Sequence, residues 1–245
     1  MARDIAASKV DAVIVLGWPP AAAMKTTGVP TVVAVGAGDP VATGLVVSLA
    51  RPGGNVTGIS DDATTLSTKR LGLLKQAVPS IRKVAMLWNK EDLGMTLRYQ
   101  ASAQVAKSLG TDVQPLGVAE PDDFADAFAA MDRDRPDAIL MVADALTILN
   151  RKRVFDYAVA NRLPAIFEFD LFVRDGGLMS YGADFKESFE RAAFLVDRIL
   201  NGTKPADLPF EEPTHYLFVV NLKAAKLIGL ELPPTLIALA DEVIE

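Results

Sequence analysis

Gly38-Asp39-Pro40-Val41 follows the apolar run Thr31-Val32-Val33-Ala34-Val35-Gly36 and precedes Arg51-Pro52-Gly53-Gly54-Asn55-Val56-Thr57-Gly58. The apolar run is bounded by turn residues and reads as a buried strand. Asp39 stands where an N-cap belongs, and Pro40 at the first helical position, where its missing N–H is no loss. The expectation is a helix over Val41–Ala50, ended by Pro52-Gly53-Gly54, and a second strand over Val56–Ser60. A strand, a capped helix and a strand within about thirty residues make the βαβ unit of a parallel sheet. Such sheets bind ligands beyond the carboxyl ends of their strands, where Asp39 stands.

The alternation continues on both sides. Asp11–Gly17 is a continuous apolar run, read as a strand buried on both faces, and Trp18-Pro19-Pro20 opens a short helix. Further strands are expected at Val84–Asn89, Asp112–Val118, Asp137–Ala143, Pro164–Phe167, Leu178–Gly182 and His215–Val220. Helices fall between them. One carries Leu97, Ala101, Val105 and Leu109 on a single stripe, and another, Phe185–Leu200, aligns Phe189, Ala193, Val196 and Leu200. A last helix is expected after Pro233-Pro234. Thr203–Pro213 is a Pro-rich connector. The class is α/β with mostly parallel sheets. Periodicity leaves open whether the strands form one doubly wound sheet or two sheets.

The chain has 245 residues, enough for two modest domains or one large one. A net charge of −6 argues against a nucleic-acid partner, and Arg151-Lys152-Arg153 reads as the solvated start of a helix. The absence of cysteine excludes disulfides, thiolate zinc sites, iron–sulfur clusters and cysteine nucleophiles. The single histidine, His215, lies between a Pro-Thr turn and a strand and reads as structural. No run of 18 apolar residues is present, so nothing is expected to span a membrane. No signal peptide is visible, which alone reads as cytoplasmic. Gly36-Ala37-Gly38 lacks the third glycine of a dinucleotide fingerprint, and neither a P-loop nor a nucleophile elbow occurs. The acidic pairs Asp122-Asp123 and Glu211-Glu212 read as solvated. No catalytic residue, metal or cofactor is expected, so the chain reads as non-enzymatic.

The strand ends supply Trp18, Asp39, Asn89, Asp144, Glu168, Phe169 and Tyr181. Carboxylates, an amide and aromatic faces at such edges suit a small polar or zwitterionic solute. Asp39 and Asp144 stand equally at helix-cap positions, and both readings stay open.

Several motifs resemble one family in one order: Gly38-Asp39-Pro40-Val41, Leu49–Gly58, Val84–Asn89, Gly176–Gly182, Asp197–Pro209, Asn221–Leu230, Pro233–Leu236 and Ala240–Ile244. The chain resembles the ABC transporter substrate-binding proteins of the tryptophan/aromatic-amino-acid type. The resemblance implies a type I periplasmic binding protein, two Rossmann-like lobes joined by three hinge crossings that close on a solute. The crossings would fall near Ser60, Tyr181 and Pro213. Lobe one would be 1–60 plus 181–212, and lobe two 61–180 plus 213–245. Trp18, Asp39, Asn89, Asp144, Phe169 and Tyr181 would line the cleft. The implied partners are a small organic solute, an amino acid if this chain follows the relatives that resemble aromatic amino-acid binders, and an ABC permease, with a periplasmic or extracytoplasmic location. A cytoplasmic ligand-sensing domain of the same fold is the alternative. Relatives carry small residues at the first loop, whereas this chain has Gly17-Trp18-Pro19, which alters the pocket's shape. The family's leader and first strand, helix and strand are not seen here. The expectation is therefore an incomplete first lobe with an open apolar edge at Val13–Leu16, or a swapped or paired edge forming a dimer.

Overall fold

The computed structural model describes residues 1–60 and 63–245. The chain begins with α1 (Ala2–Ala7), β1 (Val13–Leu16), α2 (Trp18–Lys25), β2 (Thr31–Val35) and β3 (Val56–Gly58). Next come α3 (Ala63–Ala77), β4 (Lys83–Asn89), α4 (Leu93–Ser108), β5 (Asp112–Val118), α5 (Asp123–Arg133), β6 (Ala138–Met141) and α6 (Ala145–Asn161). The remainder is β7 (Ala165–Phe167), α7 (Asp170–Arg174), β8 (Met179–Ala183), α8 (Phe185–Leu200), β9 (Tyr216–Asn221), α9 (Leu222–Leu227), α10 (Pro234–Ile237) and β10 (Glu242–Ile244). Two compact units divide the chain. One holds Met1–Asp62, Asp92–Leu97 and Ala183–His215, the other Ala63–Glu91, Arg98–Gly182 and Tyr216–Glu245. The expected lobe boundary between 60 and 61 borders Asp61 and Asp62, which lie outside the described residues. Of the two arrangements left open by the sequence, two sheets form, ordered β1-β2-β3 and β10-β9-β8-β7-β6-β4-β5. Every strand pair whose register is described runs parallel, giving the α/β fold expected.

In the first unit, β2 is the central strand and its side chains alternate between two cores. Val33 joins Val15, Met24, Leu45, Val56 and Phe210 on one face. Val32 and Ala34 join Ile59, Ala192, Leu195, Ile199 and Leu208 on the other. Each fully buried valine, leucine or isoleucine contributes about 1.5–3 kcal/mol, so this strand anchors the unit from both sides. Beside it, a Cβ on Gly58 would lie 2.2 Å from the carbonyl oxygen of Val33, a distance that only glycine avoids.

Four expectations need correction here. Residues 41–50 form no helix: Asp39 caps a single turn, and Gly44 at φ 69° breaks it. β1 is not buried on both faces, because it is the outer strand of its sheet and leaves Ile14 and Leu16 46% and 47% exposed. The buried line of α8 is Ser188, Ala192, Leu195 and Ile199, one position before the expected stripe. The small residues mark where the helix approaches β2 closely, while Phe189 and Val196 pack only at its flank. Glu211 is not simply solvated either: Arg191 Nε and Nη2 donate to its two oxygens at 2.8 and 2.7 Å.

In the second unit the central strands are apolar throughout, as parallel strands covered on both faces must be. Val84–Trp88 of β4, all of β6 and all of β7 are buried. The buried line of α4 in this unit is Arg98, Ser102 and Ala106, two of them polar, rather than the expected Leu97-Ala101-Val105-Leu109 stripe, and Leu109 is exposed. Burial is tolerable there because both side chains have polar partners: Arg98 pairs with Glu168, and Ser102 Oγ lies 2.7 Å from Ser67 Oγ. Arg151-Lys152-Arg153 lies within α6, not at its start, and all three residues are engaged: Arg151 pairs with Asp175, Lys152 with Asp156, and Arg153 donates to the carbonyl of Pro121. Asp123 accepts from the Ala119 N–H at 2.7 Å, and that bond holds its carboxyl below the usual aspartate range. The chain end gives a one-turn helix and then β10, which no alternation announces. Arg174 fixes β10 through two bonds to Glu242, 2.8 and 2.6 Å.

Candidate functional site

The order of the larger sheet reverses at β4. The chain moves outward from β4 to β5 and then returns to place β6 on the other side of β4. At such a switch point adjacent loops diverge and leave a crevice beyond the strand ends. Asn89 ends β4, and Asp144 follows β6. The two meet there: Asn89 Nδ2 donates to Asp144 Oδ2 at 2.6 Å. The amide is oriented because its Oδ1 accepts from the Glu91 N–H at 3.0 Å.

Asp144 is also the N-cap of α6. Its Oδ1 accepts from the Thr147 N–H at 2.8 Å, and Thr147 Oγ1 in turn accepts from the Asp144 N–H at 2.8 Å. This capping box fixes the rotamer and leaves Oδ2 with one partner and a second acceptor position. The side chain is buried but for 9% of its surface. Capping uses Oδ1, and the bond from Asn89 uses Oδ2.

One step below the surface, Glu168 at the end of β7 is fully buried and joins four elements. Its Oε1 accepts from Arg70 Nη1 at 2.9 Å, and its Oε2 from Arg98 Nη1 at 2.5 Å and the Ala143 N–H at 2.9 Å. Arg70 Nε extends the link to the carbonyl of Tyr181 in β8, 2.7 Å away. The ends of β6, β7 and β8 are thus tied to α3 and α4 by charge-assisted bonds. Neither arginine is conspicuous in the sequence. The signal available is position: Arg70 falls on the helical stripe with Leu66 and Leu74, where a charge requires a buried partner.

Tyr181 is half-buried, with its ring 6.2 Å from that of Tyr216 and Lys69 Nζ 5.8 Å from its centroid. Phe169 is buried at the N-cap of α7. The second unit thus places Asn89 and Asp144 in direct contact and reaches Tyr181 through Glu168 and Arg70. In the first unit, Trp18 opens α2, and Asp39 is exposed with Oδ1 accepting from the Val41 and Ala42 N–H groups, each at 2.9 Å. No group of three or more potential metal ligands occurs among the described residues.

His215, the last residue of the first unit, belongs to a separate cluster. Thr214 Oγ1 donates to Glu187 Oε1 at 2.5 Å, and the His215 N–H and Nδ1 lie 3.1 and 3.2 Å from Oε2. The Thr214 hydroxyl, chief among these, holds the Glu187 carboxyl below the usual glutamate range.

The family model described as ABC transporter substrate binding protein matches residues 1–244. A tyrosine-binding protein of Clostridioides difficile (strain R20291) is 25% identical over 232 residues, 94% of this chain. The chain spans 66% of that relative's length. Among solved structures, an ABC domain in complex with L-Trp from Streptococcus pneumonia superposes with a TM-score of 0.91 at 24% identity, covering 100% of this chain and 84% of that one. A LacI family transcriptional regulator from Bifidobacterium animalis gives a TM-score of 0.61 at 20% identity, covering 88% and 79%. The last two likenesses concern the fold.

Proposed function

Because the chain belongs to the ABC transporter substrate-binding protein family, we propose that it is the solute-binding component of an ABC importer. The solute in this reading is a small zwitterion, with aromatic amino acids first, the class named for the tyrosine-binding relative and the L-Trp complex. The observation that carries it is Asp144 at the switch point, a nearly buried carboxylate oriented by Asn89 and holding an acceptor position on Oδ2. A solute ammonium is its natural complement.

The protein works without chemistry on the solute. Hinge closure is stabilised by solute only to the extent that the closed form binds it better, and in this reading a membrane-embedded permease receives the closed form on its extracytoplasmic side. Among the described residues no helix is long and apolar enough to cross a membrane. A ligand-sensing regulator is the competing reading, favoured by the LacI-family likeness; the family match over nearly the whole chain favours the importer.

Calorimetric titration with L-tyrosine, L-tryptophan and L-phenylalanine tests the proposal. At least one binds the wild type, and Asp144→Asn weakens that binding about 10- to 150-fold, the loss of one charge-assisted bond. Absence of binding by all three, or an Asp144→Asn variant with wild-type affinity, overturns it.

A further inference from the structure

The first unit contains a polar atom that its packing does not explain. Trp18 follows Gly17, which has φ 84°. Gly36 and Gly38 also adopt positive φ, 75° and 64°. A Cβ on Gly36 would lie 3.3 Å from the Cα of Gly17, and one on Gly38 3.2 Å from the Cα of Gly94. A Cβ on Gly94 would meet the Cβ of Trp18 at 3.3 Å. The glycines therefore pack backbone against backbone in two pairs, Gly17 with Gly36 and Gly38 with Gly94, and Gly94 lies against the Cβ of Trp18. Within this setting Trp18 Nε1 is buried and has no hydrogen-bond partner among the described residues.

An indole N–H is a donor only, and a buried donor without an acceptor is costly. Phenylalanine would place an aromatic ring there without that cost. The unpaired group stands at the carboxyl end of β1, on the edge where parallel sheets take their ligands. We propose that the Trp18 indole N–H determines specificity by donating to an oxygen acceptor of the bound solute. The inference rests on the solute-binding reading above and adds the chemistry required of the solute. A solute without a suitably placed oxygen leaves the donor unpaired and is rejected, as sites built around a polar partner reject its absence.

The test uses L-tyrosine, L-phenylalanine and tyramine on the wild type and Trp18→Phe, with the indole resonances of the wild type followed by NMR. Trp18→Phe weakens L-tyrosine about 5- to 150-fold, while the ligand-free variant loses packing of the larger ring but no hydrogen bond. L-tyrosine also shifts the Trp18 indole N–H resonance of the wild type, whether or not the variant folds. A loss shared by both amino acids but not tyramine assigns the acceptor to the carboxylate. A loss shared by L-tyrosine and tyramine but not L-phenylalanine assigns it to the phenol oxygen. Binding with an unmoved Trp18 resonance, or with affinities unchanged within twofold in Trp18→Phe, overturns this inference alone. If none of the three binds the wild type, the aromatic amino-acid reading falls, and this inference with it.

Discussion

Glu168→Gln removes one charge and almost no volume from the buried node where Arg70, Arg98 and the Ala143 N–H converge. A glutamine amide keeps one acceptor oxygen and presents a donor where the second oxygen was. Two of the three bonds to the carboxylate lose their acceptor or their charge. At about 1.5–3 kcal/mol for a bond to a charged group, the loss is about 3–6 kcal/mol. Removing one partner from a buried ion pair costs about 3–5 kcal/mol by direct comparison, so about 3–5 kcal/mol is expected. Urea unfolding read by Trp88 measures it, since Trp88 is buried in the second unit and stacks on Tyr99 with ring centroids 3.7 Å apart. A Trp18→Phe background makes Trp88 the only tryptophan and isolates that unit's transition. With a slope of about 2 kcal/mol per molar urea, the midpoint falls by roughly 1.5–2.5 M. Asp156→Asn serves as the control: its pair with Lys152 is 66% and 82% exposed, and exposed pairs contribute little. A Glu168→Gln shift below about 0.5 M would refute the claim that this node holds the strand ends.

Two further outcomes are expected. Gly182→Ala places a Cβ 1.8 Å from the Glu168 carbonyl oxygen, so β8 must move away from β7; thermal unfolding should fall by about 4–10 °C. Gly72→Ala, whose Cβ meets nothing within 4 Å, should show no loss, and equal behaviour of the two variants would sink the argument. Glu187 has a folded pKa below its unfolded value, so its stabilisation is present above the ordinary glutamate value and disappears as pH falls through the folded one. Glu187→Gln should therefore be less stable at pH 7 and lose less stability below about pH 4.3. A melting-temperature profile from pH 7 to pH 3 parallel to that of the wild type would contradict this.

The alternation of strands and helices was legible because buried parallel strands are short apolar runs with few imitators. Val84–Trp88 and Ala138–Met141 have no polar residue that another element could claim. Legibility failed where a local signal was overruled. Asp39-Pro40 is a sound helix start, yet Gly44 at positive φ stops the helix after one turn. In α8 the large Phe189 drew the stripe one residue away from Ser188 and Ala192, whose smallness is what brings the helix close to the sheet. In α4 apolar periodicity pointed away from Arg98, because pairing with Glu168 lies 70 residues along the chain and leaves no local trace. The strand ends Asn89 and Asp144 were legible as positions. Their mutual bond depends on the order in which β4 and β6 enter the sheet, which periodicity does not encode.

The way the first unit is assembled from the chain bears on its synthesis. β1, β2 and β3 are complete by Gly58, and one face of β2 finds Ala21, Met24 and Val46 from nearby sequence. The other face, Val32 and Ala34, is covered by Ala192, Leu195 and Ile199 of α8. At about 5–20 residues per second, ribosomes need roughly 10–30 s to make the intervening stretch. The emerging chain therefore carries an uncovered apolar sheet face through most of its translation. During that interval the exposed face is a target for chaperones and for aggregation.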